Sequence, residues 1–225
     1  AAVARRFHIH VAEHPADEYD SVAKAGKRVV ERLHGFGITG AASIMAHCIH
    51  IDAWEMALLQ ETDTFVTHQP RSNMNNGVGY ATWLARLERV ALGTDGIDAD
   101  VLGELRAAFF RRRESTGPTV WPDALALLTG GHRLAQEIFG RPLGKLDPGA
   151  PADVISLDYD PPTPLDSTTL ASHLLFGGLG RARVRHVFVA GRQVLADFVP
   201  AGVEPLEAAA HARTQAKRLW SKLGS

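Results

Sequence analysis

The sequence predicts a parallel α/β protein followed by a smaller β-rich segment. Three observations predict this. Strand-like and helix-like stretches alternate four times along the first part of the chain. Residues able to do chemistry fall at the C-terminal end of each predicted strand, where parallel α/β folds build their sites. After Gly140 the pattern changes to short strands separated by Pro/Gly turns.

The elements follow in order. "RFHIHVAE" reads as a short strand, and "DEYDSVAKAGKRVVERLHGFG" as one amphipathic helix, acidic at its start and closed by Gly35 and Gly37. "ASIMAHCIHI" is a second apolar strand, with Asp52 placed to N-cap the helix "AWEMALLQET". "DTFVTHQP" is a third strand ending at Pro70, and "RSNMNNGVG" a polar loop before a helix over "YATWLARLE". "RVALGTDG" is a fourth strand closed by a turn. Helices are expected near 98–113 and 120–139, the second with Pro122 at its first position. "GKLDPGAPADVISLD" and "VRHVFVAGRQVLAD" are short strands joined across the Pro-rich "YDPPTPL", in the manner of a small β-sandwich. The tail "EPLEAAAHARTQAKRLWSKLG" repeats apolar residues at helical spacing and reads as a packing helix.

Composition narrows the function. Apolar residues make up 45 % of the 225 residues and charged residues 22 %, enough for a substantial core. A formal net charge of −1 gives no field for nucleic acid or an anionic membrane surface. The run Arg111-Arg112-Arg113 reads as a solvated helix end, because nothing Gly-rich or aromatic accompanies it. Cys48 stands alone, so neither a disulfide nor a Cys-based zinc site is available. No apolar run approaches membrane-spanning length and no signal peptide is recognisable, so a cytoplasmic location is expected.

Each candidate residue has a bland reading beside the functional one. His8 and His10 spell an H-x-H pair on the first strand, and His10 with Glu13 spells H-x-x-E. In an extended strand Glu13 faces away from His10 unless the chain bends; if it bends, Glu13 can move protons. Otherwise the pair is a buried histidine near a loop glutamate. His47 in "AHCIH" can ligate a metal or polarise a substrate, or be a hydrogen-bonded core residue. Asp95 in "LGTDG" can hold a divalent cation and take a proton from water, or simply form a turn. His68 and the amides Asn73, Asn75 and Asn76 suit a heterocycle's donor and acceptor edge, or an ordinary loop.

Taken in order, H-x-x-E, A-H-C-x-H, H-x-P-x-S-N and L-G-T-D-G resemble the amidohydrolase superfamily, in its cytosine-deaminase-like and chlorohydrolase-like branch. "SNMNNGVG" and "SHLLFGGL" narrow the likeness to the SsnA-type aminohydrolases. The resemblance implies that His10 is the strand-five metal ligand, Glu13 the proton shuttle and His47 the strand-six catalytic histidine. It makes Asp95 the strand-eight metal ligand and base, and puts His68, Ser72 and Asn73 in the strand-seven substrate loop. Gln69 departs from the family's usual asparagine, which bears on that loop's hydrogen bonding.

The resemblance also says what "HIH" is not. His10, His47 and Asp95 are spaced by about one and then two βα units, so His8 and His10 are not the family's first-strand pair. His8 is expected one layer deeper in the barrel interior. An intact (β/α)8 barrel takes about 250 residues by itself. The expectation is therefore the C-terminal half of a TIM barrel (strands 5–8 with their helices) over 1–145. Part of a composite β-sandwich with a connecting helix follows over 146–200, and a C-terminal helix over 201–225.

The activity implied is hydrolytic deamination of a nitrogen heterocycle by a metal-activated water, with one divalent ion, zinc or else iron. A binuclear cyclic-amide hydrolase is an alternative; a non-catalytic chain lacking the H-x-H ligands is another. The expected partners are a small heterocyclic substrate and either the missing N-terminal half or a second copy of the chain.

Overall fold

Four parallel strands form the first sheet in simple chain order: β1 (His8–Val11), β2 (Ile44–His47), β3 (Phe65–His68) and β4 (Val90–Leu92). They belong to a computed structural model that describes residues 6–117 and 125–224. The chain divides into two units, Ala1–Gly144 with Pro161–Arg181, and Lys145–Asp160 with Ala182–Ser225. The first is a mixed α/β fold built on the parallel sheet.

Register decides what each face carries. His10 pairs with Ala46, Ala46 with Thr67, and Thr67 with Ala91, so these four share one face. The opposite face carries Val11, Met45, Val66 and Val90, all buried. They pack against Val30, Leu58 and Leu59 from the helices. Burying each such side chain contributes about 1.5–3 kcal/mol.

The helices correct the sequence reading in several places. The single helix expected over 17–37 is two, α1 (Pro15–Ala25) and α2 (Val29–Gly35). Gly26, at φ +65°, terminates the first in the left-handed conformation that glycine adopts without a Cβ clash. α3 (Ala53–Glu61) starts as expected at Asp52, whose side chain accepts from Trp54 N and Glu55 N. The expected loop after Pro70 opens with α4 (Pro70–Asn75), for which proline supplies a pre-set first position. The helix expected over 80–88 shrinks to a 3₁₀ turn at Leu84–Arg86. Ala81, Trp83 and Leu84 are all buried there, a pattern that no single helical face provides. α5 (Val101–Thr116) and α6 (Ala126–Phe139) follow β4; Pro122 lies outside the described residues. α7 (Leu170–Leu175) completes the first unit.

α6 lies unusually close to β4. A Cβ on Gly130 would come within 1.9 Å of the Val90 carbonyl oxygen, whereas one on Gly131 would meet nothing within 4 Å. Gly130→Ala is therefore expected to cost about 1–3 kcal/mol, the usual range for overpacking. Gly131→Ala should be neutral or stabilising by up to about 1 kcal/mol, from helix propensity alone. Urea unfolding of the pair tests this; equal midpoints would mean that α6 does not seat on β4 as described.

A charged cluster ties α1, α2 and α3 together. Arg28 Nε donates to Glu55 Oε2 at 2.7 Å, and its Nη2 donates to the His50 carbonyl at 2.7 Å. Its guanidinium also faces Glu18 Oε1 at 3.4 Å and Asp52 Oδ2 at 3.0 Å. One cation thus serves three carboxylates, two of them buried. Burial, and next the Glu55 charge, push the Glu18 carboxyl up to about 7 from an ordinary 4.5. Between those values the folded chain keeps a proton that the unfolded chain has released, so stability falls as pH rises through the window. Glu18→Gln should flatten that slope. Urea midpoints between pH 4.5 and 7 check it, and an unchanged slope would assign the effect to another group.

The second unit holds an antiparallel sheet in the order β5 (Val154–Asp158), β6 (Arg183–Val189), β7 (Arg192–Ala196), β8 (Val199–Pro200). Two two-residue turns join its last three strands: Ala190-Gly191 at φ +48° and +80°, and Asp197-Phe198 at +45° and +68°. Positive φ at both central positions matches the twist of a tight hairpin. α8 (Pro205–Leu223) follows. Among the described residues no helix is long and apolar enough to cross a membrane.

Candidate active site

The C-terminal ends of the four parallel strands carry the candidate residues. β1 stops at Val11, and Ala12 takes φ +46°. That left-handed turn, which strict alternation does not contain, swings Glu13 back over the strand end. The next residue, His14, is spent on structure: its Nδ1 accepts from Ala16 N and its backbone N donates to Asp17 Oδ2, capping α1.

β2 ends in the same way, with His47 at φ +69° and Cys48 at φ +48°. His47 is wholly buried. Its backbone N donates to Gln69 Oε1 at 3.1 Å, and its Nδ1–H donates to Asn73 Oδ1 at 2.8 Å. This leaves Nε2 directed outward, where it can meet a cation or carry a proton. Nε2 is buried and has no hydrogen-bond partner. It lies 3.5 Å from Glu13 Oε2 and 3.8 Å from Asp95 Oδ2.

β3 leads through Gln69 into α4, which supplies Ser72 and Asn73. Ser72 Oγ donates to Asp95 Oδ2 at 2.6 Å. β4 leads to Asp95, itself at φ +53°, whose Oδ1 accepts from Gly96 N at 2.7 Å. The Ser72 hydroxyl first, then the Gly96 N–H and the nearby His47 and His10, hold the Asp95 carboxyl below the usual range despite partial burial. His10 meets His47 edge to face with ring centres 5.0 Å apart. One ligand atom each from His10, Glu13 and His47 lie within 4.8 Å of one another.

This arrangement has a chemical consequence. An imidazole nitrogen and two carboxylate oxygens converge, and among the described residues only the Asp95 oxygen has a donor, the Ser72 hydroxyl. In a low-dielectric pocket such a group of acceptors needs a positive charge, either a proton or a cation. Imidazole nitrogen with carboxylate oxygen is the donor set that suits zinc and similar divalent metals. The residues present therefore fit a divalent ion.

The structure brings together His10, Glu13, His47, Ser72, Asn73 and Asp95. It sets His68 apart. By register His68 shares a face with Val66 and Val90, on the helix-covered side, and makes no hydrogen bond to the cluster. Burial foremost, then the charge of His47, pushes its pKa down to about 4, so it is neutral at ordinary pH. His8 lies below His10 on the open face and is exposed. His50 anchors the loop after α4, its Nε2–H donating to the Val78 carbonyl at 2.7 Å.

The sequence names Asn76 and Gln69 without their contacts and gives no sign of a third support, Arg71. Asn76 Nδ2 donates to Glu13 Oε1 at 3.3 Å and so steadies the returning carboxylate. Gln69 Nε2 donates to Thr67 Oγ1 at 2.7 Å while its Oε1 holds His47 N, so this departure from the family pattern braces the buried histidine. Gly93 makes room for it, since a Cβ there would lie 2.7 Å from Gln69 Nε2. Arg71 clamps the loop beyond Asp95: it donates to Glu104 Oε1 at 2.8 Å and to Asp98 Oδ2 at 2.9 Å, holding Asp98 down at about 2. Only the amide cluster and the glycine before Thr94 carry any sequence signal for these roles. Arg71 meets its partners across separate elements, where no spacing rule applies.

A parallel α/β sheet with two histidines and two carboxylates converging on its C-terminal rim is an arrangement able to hold a divalent ion. Residues 2–194 match the amidohydrolase family, and the chain belongs to it. It is 33 % identical over 199 residues to a 5-methylthioadenosine/S-adenosylhomocysteine deaminase of Syntrophobacter fumaroxidans, covering 84 % of this chain and 45 % of that protein. A 5'-deoxyadenosine deaminase of Methanopyrus kandleri is 31 % identical over 198 residues, with 84 % and 46 % covered. Among solved structures, an adenosine deaminase from Xanthomonas campestris with bound zinc superposes with a TM-score of 0.84 at 26 % identity. That match covers 96 % of this chain and 51 % of the other. The chain thus spans about half the length of the relatives it matches.

Proposed function

We propose that this chain supplies the proton-handling half of a metal-dependent aminohydrolase that replaces an amino group on a nitrogen heterocycle, a purine nucleoside being the favoured class. The observation that carries this is the buried, unpartnered Nε2 of His47 facing Glu13 and Asp95. The deaminases among its relatives favour the nucleoside. In this reading the four parallel strands are strands five to eight of an eight-stranded barrel. Residues 1–145 belong to that barrel, 146–200 to a composite β-sandwich, and 201–225 form the C-terminal helix.

His10 and Asp95 would hold the ion, with at least one further donor, since a catalytic zinc normally has three protein ligands. Bound there, zinc makes water acidic enough to ionise near pH 7. Asp95 accepts the proton released by the attacking water; its depressed pKa keeps it ionised and ready. Glu13, returned over the β1 end, carries a proton to the ring nitrogen beside the carbon attacked. His47, fixed by Asn73 and Gln69, would take up a proton on Nε2 and donate it as a hydrogen bond to the oxygen that develops charge. Ser72 holds Asp95 in place, and Asn73 would meet the substrate edge. Asp95 passes its proton to the departing amino group, which leaves as ammonia, and the proton still on the added oxygen returns to Glu13.

A polypeptide carrying the whole barrel, loaded with zinc, should release ammonia from adenosine, 5'-deoxyadenosine or 5'-methylthioadenosine. Release from none of these, with zinc bound stoichiometrically, would remove the nucleoside reading. Tight binding of two ions per site would favour the binuclear cyclic-amide alternative.

A further inference from the structure

His50 closes the A-H-C-x-H motif, yet it is not among the groups gathered at the strand ends. It stands in the connection between β2 and α3, and three of its polar atoms reach three different segments. Its backbone N donates to the Ala12 carbonyl at 3.0 Å. Its own carbonyl accepts from Arg28 Nη2 at 2.7 Å, and its Nε2–H donates to the Val78 carbonyl at 2.7 Å.

Two of these contacts bear on Glu13, from opposite ends of its side chain. Ala12 is the left-handed residue whose turn brings Glu13 back over β1, and its carbonyl is the group that His50 N holds. Asn76, two residues before Val78, donates from Nδ2 to Glu13 Oε1. The backbone root and the carboxylate tip of Glu13 thus both trace to one residue.

The second link crosses a segment with much freedom of its own. Gly77 and Gly79 flank Val78 at φ +64° and +109°, and glycine restricts a chain least. The Val78 side chain is buried, but burial has no direction: it sets the depth of the loop and not the orientation of its peptides. The hydrogen bond on the Val78 carbonyl fixes that orientation, and with it the aim of the Asn76 amide. Gly79 lies against the same imidazole, where a Cβ would meet its Cε1 at 3.7 Å.

We infer that His50 is a positioning residue, its imidazole holding the loop that carries Asn76 so that the Glu13 carboxylate stays aimed into the site. The inference rests on the proton-carrying role proposed for Glu13. The two motifs "AHCIH" and "SNMNNGVG" then meet as one device, with His47 at the site and His50 behind it.

Substitutions test the imidazole alone, because the contacts to Ala12 and Arg28 are made by the His50 backbone. His50→Phe keeps a ring and loses the donor, whereas His50→Gln keeps an Nε2 donor. In the full 225-residue chain, His50→Phe should speed amide hydrogen exchange over 72–80, read by mass spectrometry, and His50→Gln should not. In a zinc-loaded polypeptide with the complete barrel, His50→Phe should lower kcat by about 10- to 100-fold with KM and zinc content unchanged. A catalytic group displaced by about 1 Å can cost that much. His50→Gln should restore most of the rate. His50→Phe should cost nothing further in a chain already carrying Asn76→Ala or Glu13→Gln, because the link it serves is already broken. Exchange unchanged by His50→Phe would overturn the inference. So would a loss of rate that adds to that of either partner, or one that falls on KM or zinc content. A parent polypeptide that releases no ammonia would instead remove the deamination itself, and the exchange measurement alone would then decide whether His50 clamps the loop.

Discussion

Glu13→Gln, made in a polypeptide with the complete barrel, is expected to lower kcat by about 10² to 10⁴ while zinc content stays unchanged. The glutamine keeps the shape of the side chain and an oxygen to accept from Asn76, so the turn at Ala12 has no reason to move. It loses only the ability to carry a proton. Because Glu13 also lies within ligand distance of His10 and His47, the metal measurement is as informative as the rate. A variant that loses both zinc and activity would make Glu13 a ligand, and a variant with unchanged turnover would remove it from the chemistry.

Asp95→Asn should weaken zinc binding and turnover together, since one carboxylate is asked to hold the ion and to take the proton. Loss of a mere supporting partner already costs 10- to 100-fold in metal affinity, so loss of a ligand should cost at least about that. Ser72 can still donate to an asparagine oxygen, so the loop need not collapse and the effect reports charge more than structure. Metal content by mass spectrometry and ammonia release by a coupled assay measure the two effects separately. Full activity with zinc retained would refute both assignments.

Much of this architecture is legible in the sequence because its signals are local. The apolar runs before His10, His47, His68 and Asp95 are short, each is followed by polar or turn residues, and the strands lie where those runs predict. Asp52 announces α3 through its capping pattern. What is not legible depends on backbone conformation or on tertiary neighbours. The return of Glu13 rests on one left-handed alanine, a conformation that no propensity assigns to alanine. The helix expected over 80–88 fails because the core claims Ala81, Trp83 and Leu84 together, and packing overrides periodicity. His68 is found by its motif, but its face is set by strand register, which places it beside Val66 and Val90 rather than beside His10.

The left-handed residues at the rim also bear on how this chain would respond to selection for heat tolerance. Ala12, His47, Cys48 and Asp95 each occupy a conformation that costs a residue with a Cβ about 1–2 kcal/mol. Three of them are closed to easy improvement, by the chemistry proposed for His47 and Asp95 and by the buried contacts of Cys48. Ala12 is not. A glycine there would relieve the strain, so a search rewarding only survival at high temperature should be drawn to that position. The same glycine would loosen the tether that returns Glu13 to the rim. Lineages chosen for robustness alone should therefore lose proton transfer at Ala12 before they lose the fold, and pairing the heat screen with an activity screen should keep the alanine.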